Sequence, residues 1–196
     1  MPISREALEA AQLIDRLERL TRTGEHEDGL NPAQWEALRY LARANRFSRT
    51  PAALADYLAS TRGTVSRTLA SLEEKGHVSR ETNARDGRSI ALALTPRGEQ
   101  ALRRDPLFAI ACDIDRALGA DAADLRDNLQ RILRQAIARN DGKAFGLCAD
   151  CRHFRGNVRP SSRQPHHCAL LEESLSEADS SLICVEQEDA EKPRAA

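Results

Sequence analysis

The chain of 196 residues lacks any apolar run approaching the ~18 residues that a membrane span requires. Its longest apolar stretches cover residues 89–96 and 106–112. The first nine residues are polar and charged, without the apolar core of a secretion signal. A soluble, intracellular, cytoplasmic protein is expected. Glycine and proline are sparse, at 10 and 8 residues, and charged residues make up 30%. That composition excludes collagen-like, low-complexity and wholly disordered chains. No catalytic triad, phosphate-binding loop or dinucleotide fingerprint occurs, and no internal repeat is visible. The chain reads as a non-enzyme. Lysine is nearly absent: of 29 basic residues only Lys75, Lys143 and Lys192 are lysine. This bias raises arginine everywhere, so arginine alone argues for nothing. Cysteine is missing from the first 111 residues.

What is present is unevenly distributed. The formal net charge of −1 hides a basic middle, since residues 43–104 carry 12 Lys/Arg against 6 Asp/Glu. Residues 172–191 carry 8 acidic residues and no Lys/Arg. A basic middle suits a polyanionic partner.

Apolar spacing predicts a helix over residues 4–22, with Leu8, Ala11, Leu13, Leu17 and Leu20 on one stripe and Ser4 as its cap. Asn31-Pro32 starts a second helix, in which Trp35 is a core residue. Thr50-Pro51 starts a short third helix with Leu54 and Ala55 inward. A fourth runs from Ser60 or Thr61 to about Lys75 and is stopped by Gly76. Its inward positions are Val65, Leu69 and Leu72, and its outward ones include Arg62, Gly63, Thr64, Ser66 and Arg67. Residues 77–82 and 89–94 read as the strands of a β-hairpin with a basic tip that carries Arg85, Asp86 and Arg88. Thr95-Pro96 caps a further helix, and residues 121–139 form another with a broad apolar stripe. The fold class is mainly α with a small β-hairpin wing, followed by an irregular Cys-rich extension.

Helix, short helix, helix and hairpin in this order make a helix-turn-helix followed by a wing. A helix fits the major groove of B-DNA when its exposed face presents hydrogen-bond donors and small side chains. Thr61, Arg62, Thr64, Ser66 and Arg67 supply them, and Gly63 permits close approach. Arg85 and Arg88 could meet a phosphate or the minor groove. The pattern V-S-R-x-L-x-x-L-E-x-K-G-x-V from Val65 to Val78, the D-x-R-S of Asp86, Arg88 and Ser89, and the L-T-x-x-G from Leu94 to Gly98 resemble the MarR family of winged-helix transcriptional regulators. The resemblance covers about residues 5–140. It implies that residues 61–75 are the recognition helix, that Asp86 orients the wing, and that Arg88 contacts DNA. It implies a homodimer with interleaved first and last helices, repression as the commoner mode, and a small-molecule or redox effector as a possible partner. Two-fold pairing predicts a pseudo-palindromic operator in double-stranded DNA, with half-sites about one helical turn apart.

The resulting division is a dimerisation helix (1–30), a winged helix-turn-helix domain (31–104), dimerisation helices (105–142), a four-cysteine metal- or cluster-binding extension (143–186) and a disordered acidic tail (187–196). The extension departs from the ordinary MarR pattern. Cys148, Cys151, Cys168 and Cys184 have the spacing C-x2-C-x16-C-x15-C. C-x-x-C lets two thiolates reach one metal from a single turn, and two later cysteines complete a soft ligand set. A [4Fe–4S] cluster is favoured over zinc, because single, widely spaced third and fourth cysteines suit a cluster better than a zinc ribbon. The pattern through Phe154 loosely resembles small high-potential iron–sulfur domains. His153, His166 and His167 are alternative ligands for a zinc site of three cysteines and one histidine or, individually, surface residues. Cys112 is expected to be a buried small hydrophobe, with a redox-sensing thiol as its alternative. With so little apolar periodicity, the extension needs a metal or a docking surface to be ordered. Two other readings stay open: a winged-helix module for protein contacts with a structural zinc site, and a C-x-x-C thiol–disulfide enzyme.

Overall fold

The structure is a computed structural model that describes residues 3–23, 29–82 and 90–189. Helix α1 spans Arg5–Thr23, α2 Pro32–Arg43, α3 Pro51–Tyr57 and α4 Arg62–Glu74. Strands β1 (Val78–Thr82) and β2 (Ile90–Leu94) pair antiparallel, with Val78 opposite Leu94 and Thr82 opposite Ile90. Helices α5 (Pro96–Leu102), α6 (Leu107–Leu118) and α7 (Ala122–Arg139) follow.

Capping chemistry sets the helix starts. Asn31 and Gln34 form a reciprocal capping box at α2, and Pro32 occupies its first turn. The hydroxyls of Thr50, Thr61 and Thr95 each accept the backbone N–H three residues on, opening α3, α4 and α5. Ser4 Oγ accepts from the Ala7 N–H at the start of α1.

One core holds the winged helix together. Trp35, Leu38, Tyr40 and Leu41 of α2 pack with Leu54, Val65, Leu69, Leu72 and Leu92. Gly98 seats α5 against β1: a Cβ there would lie 2.2 Å from the His77 carbonyl oxygen, so no side chain fits. Arg39 of α2 clamps Asp105 with two hydrogen bonds, of 2.8 and 2.6 Å, and Asp105 also accepts from the Leu107 N–H at the start of α6. This bidentate pair ties the winged helix to the helices that follow.

Helices α1, α6 and α7 are different. Neither α6 nor α7 has a buried residue. Leu13 and Leu17 of α1, Phe108 of α6, and Ile132 and Leu133 of α7 are all about half exposed or more. Among the described residues, their amphipathic stripes are left largely uncovered.

The Cys-rich extension is not irregular. Short strands β3 (Gly146–Leu147), β4 (Phe154–Arg155), β5 (His166–Cys168), β6 (Glu173–Leu175) and β7 (Ile183–Cys184), with the short helix α8 (Glu177–Ser180), give it two small sheets, β3–β7 and β4–β5–β6. It is ordered by docking on the winged helix. Ile183 is 3% exposed and belongs to the main core, and it pairs in parallel with Ala44. Phe145 packs edge-on against Tyr57 and Tyr40, with centroids 5.1 and 6.0 Å away. Gly146 lets Gln187 approach, since a Cβ there would meet its side chain at 2.5 Å. Sequence periodicity could not anticipate this docking, because it uses single residues of strands two or three residues long.

Candidate nucleic-acid interface and cysteine pocket

Helix α4 has two faces. Val65, Leu69 and Leu72 are buried against the rest of the winged helix. Thr61, Arg62, Gly63, Thr64, Ser66 and Arg67 are all exposed. Thr61 Oγ1 accepts from the Thr64 N–H at 3.1 Å and lies 2.9 Å from Thr64 Oγ1, so these two hydroxyls order the first turn. Arg62 and Arg67 have no ion pair among the described residues. Gly63 has only Thr61 Oγ1 near the Cβ it lacks, at 4.0 Å. Packing within the chain therefore does not require glycine at this position, whereas close approach of an outside surface would use it. Other basic residues of the middle segment are already engaged. Lys75 Nζ donates to the Gly29 carbonyl and to Gln34 Oε1, Arg80 pairs with Glu73 at 3.1 Å, and Arg49 Nε donates to the Ala44 carbonyl. The net charge of this segment therefore overstates what a partner would meet. Arg85, Asp86 and Arg88 at the hairpin tip lie outside the described residues.

The second feature is a pocket in the extension. Cys148, Cys151, Cys168 and Cys184 line one small cavity, closed by Phe154 and Leu175. A single turn presents the first two, with the Cys151 N–H donating to the Cys148 carbonyl at 3.1 Å. Cys148, Cys168 and Cys184 are buried and Cys151 is half-buried. Pairing with Cys184, together with burial, pushes the Cys148 thiol far above the ordinary range, and the same pairing draws Cys184 down to about 6. Asn45, the Glu186 backbone and the Ser48 hydroxyl add to the lowering at Cys184. Asn45 Nδ2 donates to Cys148 Sγ at 3.5 Å. Among the described residues, no three His, Cys, Asp or Glu side chains converge closely enough to hold a single metal ion.

The loop over residues 44–50, between α2 and α3, is the part that sequence reasoning missed. The Asn45 N–H donates to the Ile183 carbonyl at 2.9 Å, and its side-chain oxygen accepts from the N–H groups of Phe47 and Ser48. Ser48 Oγ accepts from the Val185 N–H at 2.9 Å, and Arg46 Nη2 donates to the Ser174 carbonyl. Asn45 and Cys148 lie 103 residues apart, and no local pattern marks the pair.

Of the three histidines, only His153 lines the pocket. His166 is buried rather than on the surface: its Nδ1 accepts from the Asn157 N–H at 3.1 Å and its ring packs on Phe154. His167 sits 3.4 Å from Glu172. Cys112 corrects another expectation. It is exposed, and no residue of α6 is buried.

A MarR family model matches residues 28–89. Members of that family are transcription regulators, not enzymes. No curated protein matches the chain. Among solved structures, the transcriptional regulator BldR from Sulfolobus solfataricus is 22% identical and superposes with a TM-score of 0.54, covering 69% of this chain and 99% of its own. A MarR/EmrR family transcriptional regulator from Acinetobacter sp. ADP1 is 24% identical, with a TM-score of 0.54 and coverage of 71% and 99%. The S. aureus MepR–DNA complex is 20% identical, with a TM-score of 0.52 and coverage of 68% and 96%. No described helix is long and apolar enough to cross a membrane. The chain has the helix-rich winged-helix fold of MarR-type regulators, with a small antiparallel hairpin, and is similar to the MarR family over residues 28–89.

Proposed function

We propose that this chain is a sequence-specific DNA-binding transcriptional repressor that acts as a homodimer on a pseudo-palindromic operator in the cytoplasm. The observation that carries this reading is the outward face of α4. It presents two hydroxyl-bearing residues in an ordered first turn, a glycine the fold does not need, and two arginines without an ion pair among the described residues. Such a face matches the major groove, where arginine reads guanine and small side chains admit close approach. MepR, which shares the fold, has been solved in complex with DNA.

The dimer follows from the apolar stripes of α1, α6 and α7. Together they leave Leu13, Leu17, Phe108, Ile132 and Leu133, among other large hydrophobic side chains, about half exposed or more, and exposed apolar surface of this kind marks interaction sites when it is contiguous. A second copy covers them most simply, since a two-fold contact matches one surface with itself. A crevice between the winged helix and α6, reached by Tyr57, Leu102, Asp105 and Phe108, is where a small-molecule effector would bias the dimer.

The test is fluorescence anisotropy of a labelled mixed-sequence duplex titrated at several salt concentrations. The logarithm of affinity should fall linearly with the logarithm of salt concentration. Arg62→Ala and Arg67→Ala should each weaken binding by about 1–3 kcal/mol if the arginine reads a base, or reduce the salt slope by about one if it meets a phosphate. Binding that is absent, or indifferent to salt and to both substitutions, would overturn the proposal.

A further inference from the structure

Four cysteines around one cavity need an occupant that suits their spacing. A single zinc ion, with Zn–S bonds of about 2.3 Å, would draw four thiolates to about 3.8 Å from one another. Cys148 and Cys184 pair with each other, but no three donors among the described residues are grouped around a single ion. All four cysteines nevertheless line the same small cavity. That combination fits a polynuclear core, in which each thiolate ligates a different iron.

The surroundings suit such a core as well. Phe154 and Leu175 form the apolar shell that shields a cluster from solvent. A thiolate-ligated core carries net negative charge and needs donors aimed at its sulfurs. Asn45 Nδ2 supplies one to Cys148, and Ser48, whose hydroxyl accepts from the Val185 N–H, is held beside Cys184. Asn45 and Ser48 both belong to the winged helix, not to the extension.

Those two residues sit in a loop with a second set of obligations. The Arg49 carbonyl accepts from the Leu92 N–H of β2 at 2.7 Å. Thr50 caps α3, the first helix of the helix-turn-helix. The buried Tyr40 hydroxyl donates to the Ser48 carbonyl. Residues 44–50 therefore join the cysteine pocket on one side to α3 and the wing on the other.

We propose that Cys148, Cys151, Cys168 and Cys184 hold a [4Fe–4S] cluster, and that the filled pocket fixes residues 44–50 through Asn45 and Ser48, so that cluster occupancy sets the order of the helix-turn-helix and wing. On ligation each thiol passes its proton to solvent, and the thiolate forms its bond to iron as it displaces a water or small thiolate ligand, with no change of oxidation state. The regulatory half of the proposal rests on the DNA-binding reading; the metal site does not.

The experiment begins with the full chain purified without oxygen, or reconstituted with equal parts of ferrous and ferric iron and sulfide. The expected result is about four irons and four acid-labile sulfides per chain. Cys168→Ser should lose them, and Cys112→Ser should keep them. About one zinc with no iron, or no bound metal after reconstitution, would overturn the cluster. Hydrogen exchange on the wild-type chain before and after iron chelation reads the coupling without relying on a variant that fails to fold. Amides of residues 44–50 and of Leu92 should exchange at least tenfold faster once iron is removed, while those of α7 should change less. Equal exchange in both states would overturn the coupling. Iron is counted without DNA and duplex binding is titrated separately. Four irons with no duplex binding would sink the DNA-binding reading alone; salt-dependent duplex binding with no iron would sink the cluster alone.

Discussion

Truncating Ile183 to alanine tests whether the extension and the winged helix are one folding unit. Ile183 lies in the C-terminal extension, yet it is 3% exposed inside the main core and its backbone pairs with Ala44. Ile183→Ala removes three carbons, worth about 2.4 kcal/mol at about 0.8 kcal/mol each. The cavity left beside Ala44 raises the cost towards the upper part of the roughly 2–5 kcal/mol range for such truncations. The chain has one tryptophan, and Trp35 is buried in α2, far from the extension in sequence. Its fluorescence therefore reports unfolding of the winged helix alone. With a urea slope of about 2 kcal/mol/M, the Trp35 midpoint should fall by roughly 1–2 M, in step with the far-UV signal. If the Trp35 midpoint stays where it was, the extension is a separate unit and the docking argument fails.

Three further outcomes follow from the same packing. Gly98→Ala would push a methyl group into the His77 carbonyl; a cost of about 3 kcal/mol should lower Tm by roughly 10 °C in a thermal melt. Asp105→Ala removes both bonds from Arg39 and the acceptor for the Leu107 N–H, and chemical denaturation should show a loss of about 2–4 kcal/mol. Leu17→Glu combined with Leu133→Glu places charge on two uncovered stripes, so sedimentation should show single chains where the parent sediments as a dimer; an unchanged dimer would place the interface elsewhere.

Much of the winged helix was legible because its signals are local. Asn31-Pro32, Thr50-Pro51, Thr61 and Thr95-Pro96 mark helix starts through hydrogen bonds that span three residues. Val65, Leu69 and Leu72 mark the inner face of α4 through helical spacing, and the outer face followed by subtraction. The four cysteines were legible by grouping, and the structure brings all four to one cavity. The docking of the extension was not legible. It depends on Asn45, Ser48 and Ile183, whose partners lie more than a hundred residues away and whose segments have no periodicity. Cys112 was misread for a related reason. An apolar stretch marks a face that must be covered, but not whether the cover comes from the same chain.

Selection of bound sequences from a random duplex pool, followed by footprinting of the winners, tests the central claim most directly. A homodimer that places one copy of α4 in each of two major grooves should enrich an inverted repeat, with half-sites about 10 base pairs apart centre to centre. Protection should extend over both halves, and Arg62→Ala with Arg67→Ala should abolish the enrichment. A pool that converges on no sequence, or on one that these substitutions leave equally enriched, would contradict the assignment of α4 as the reading head.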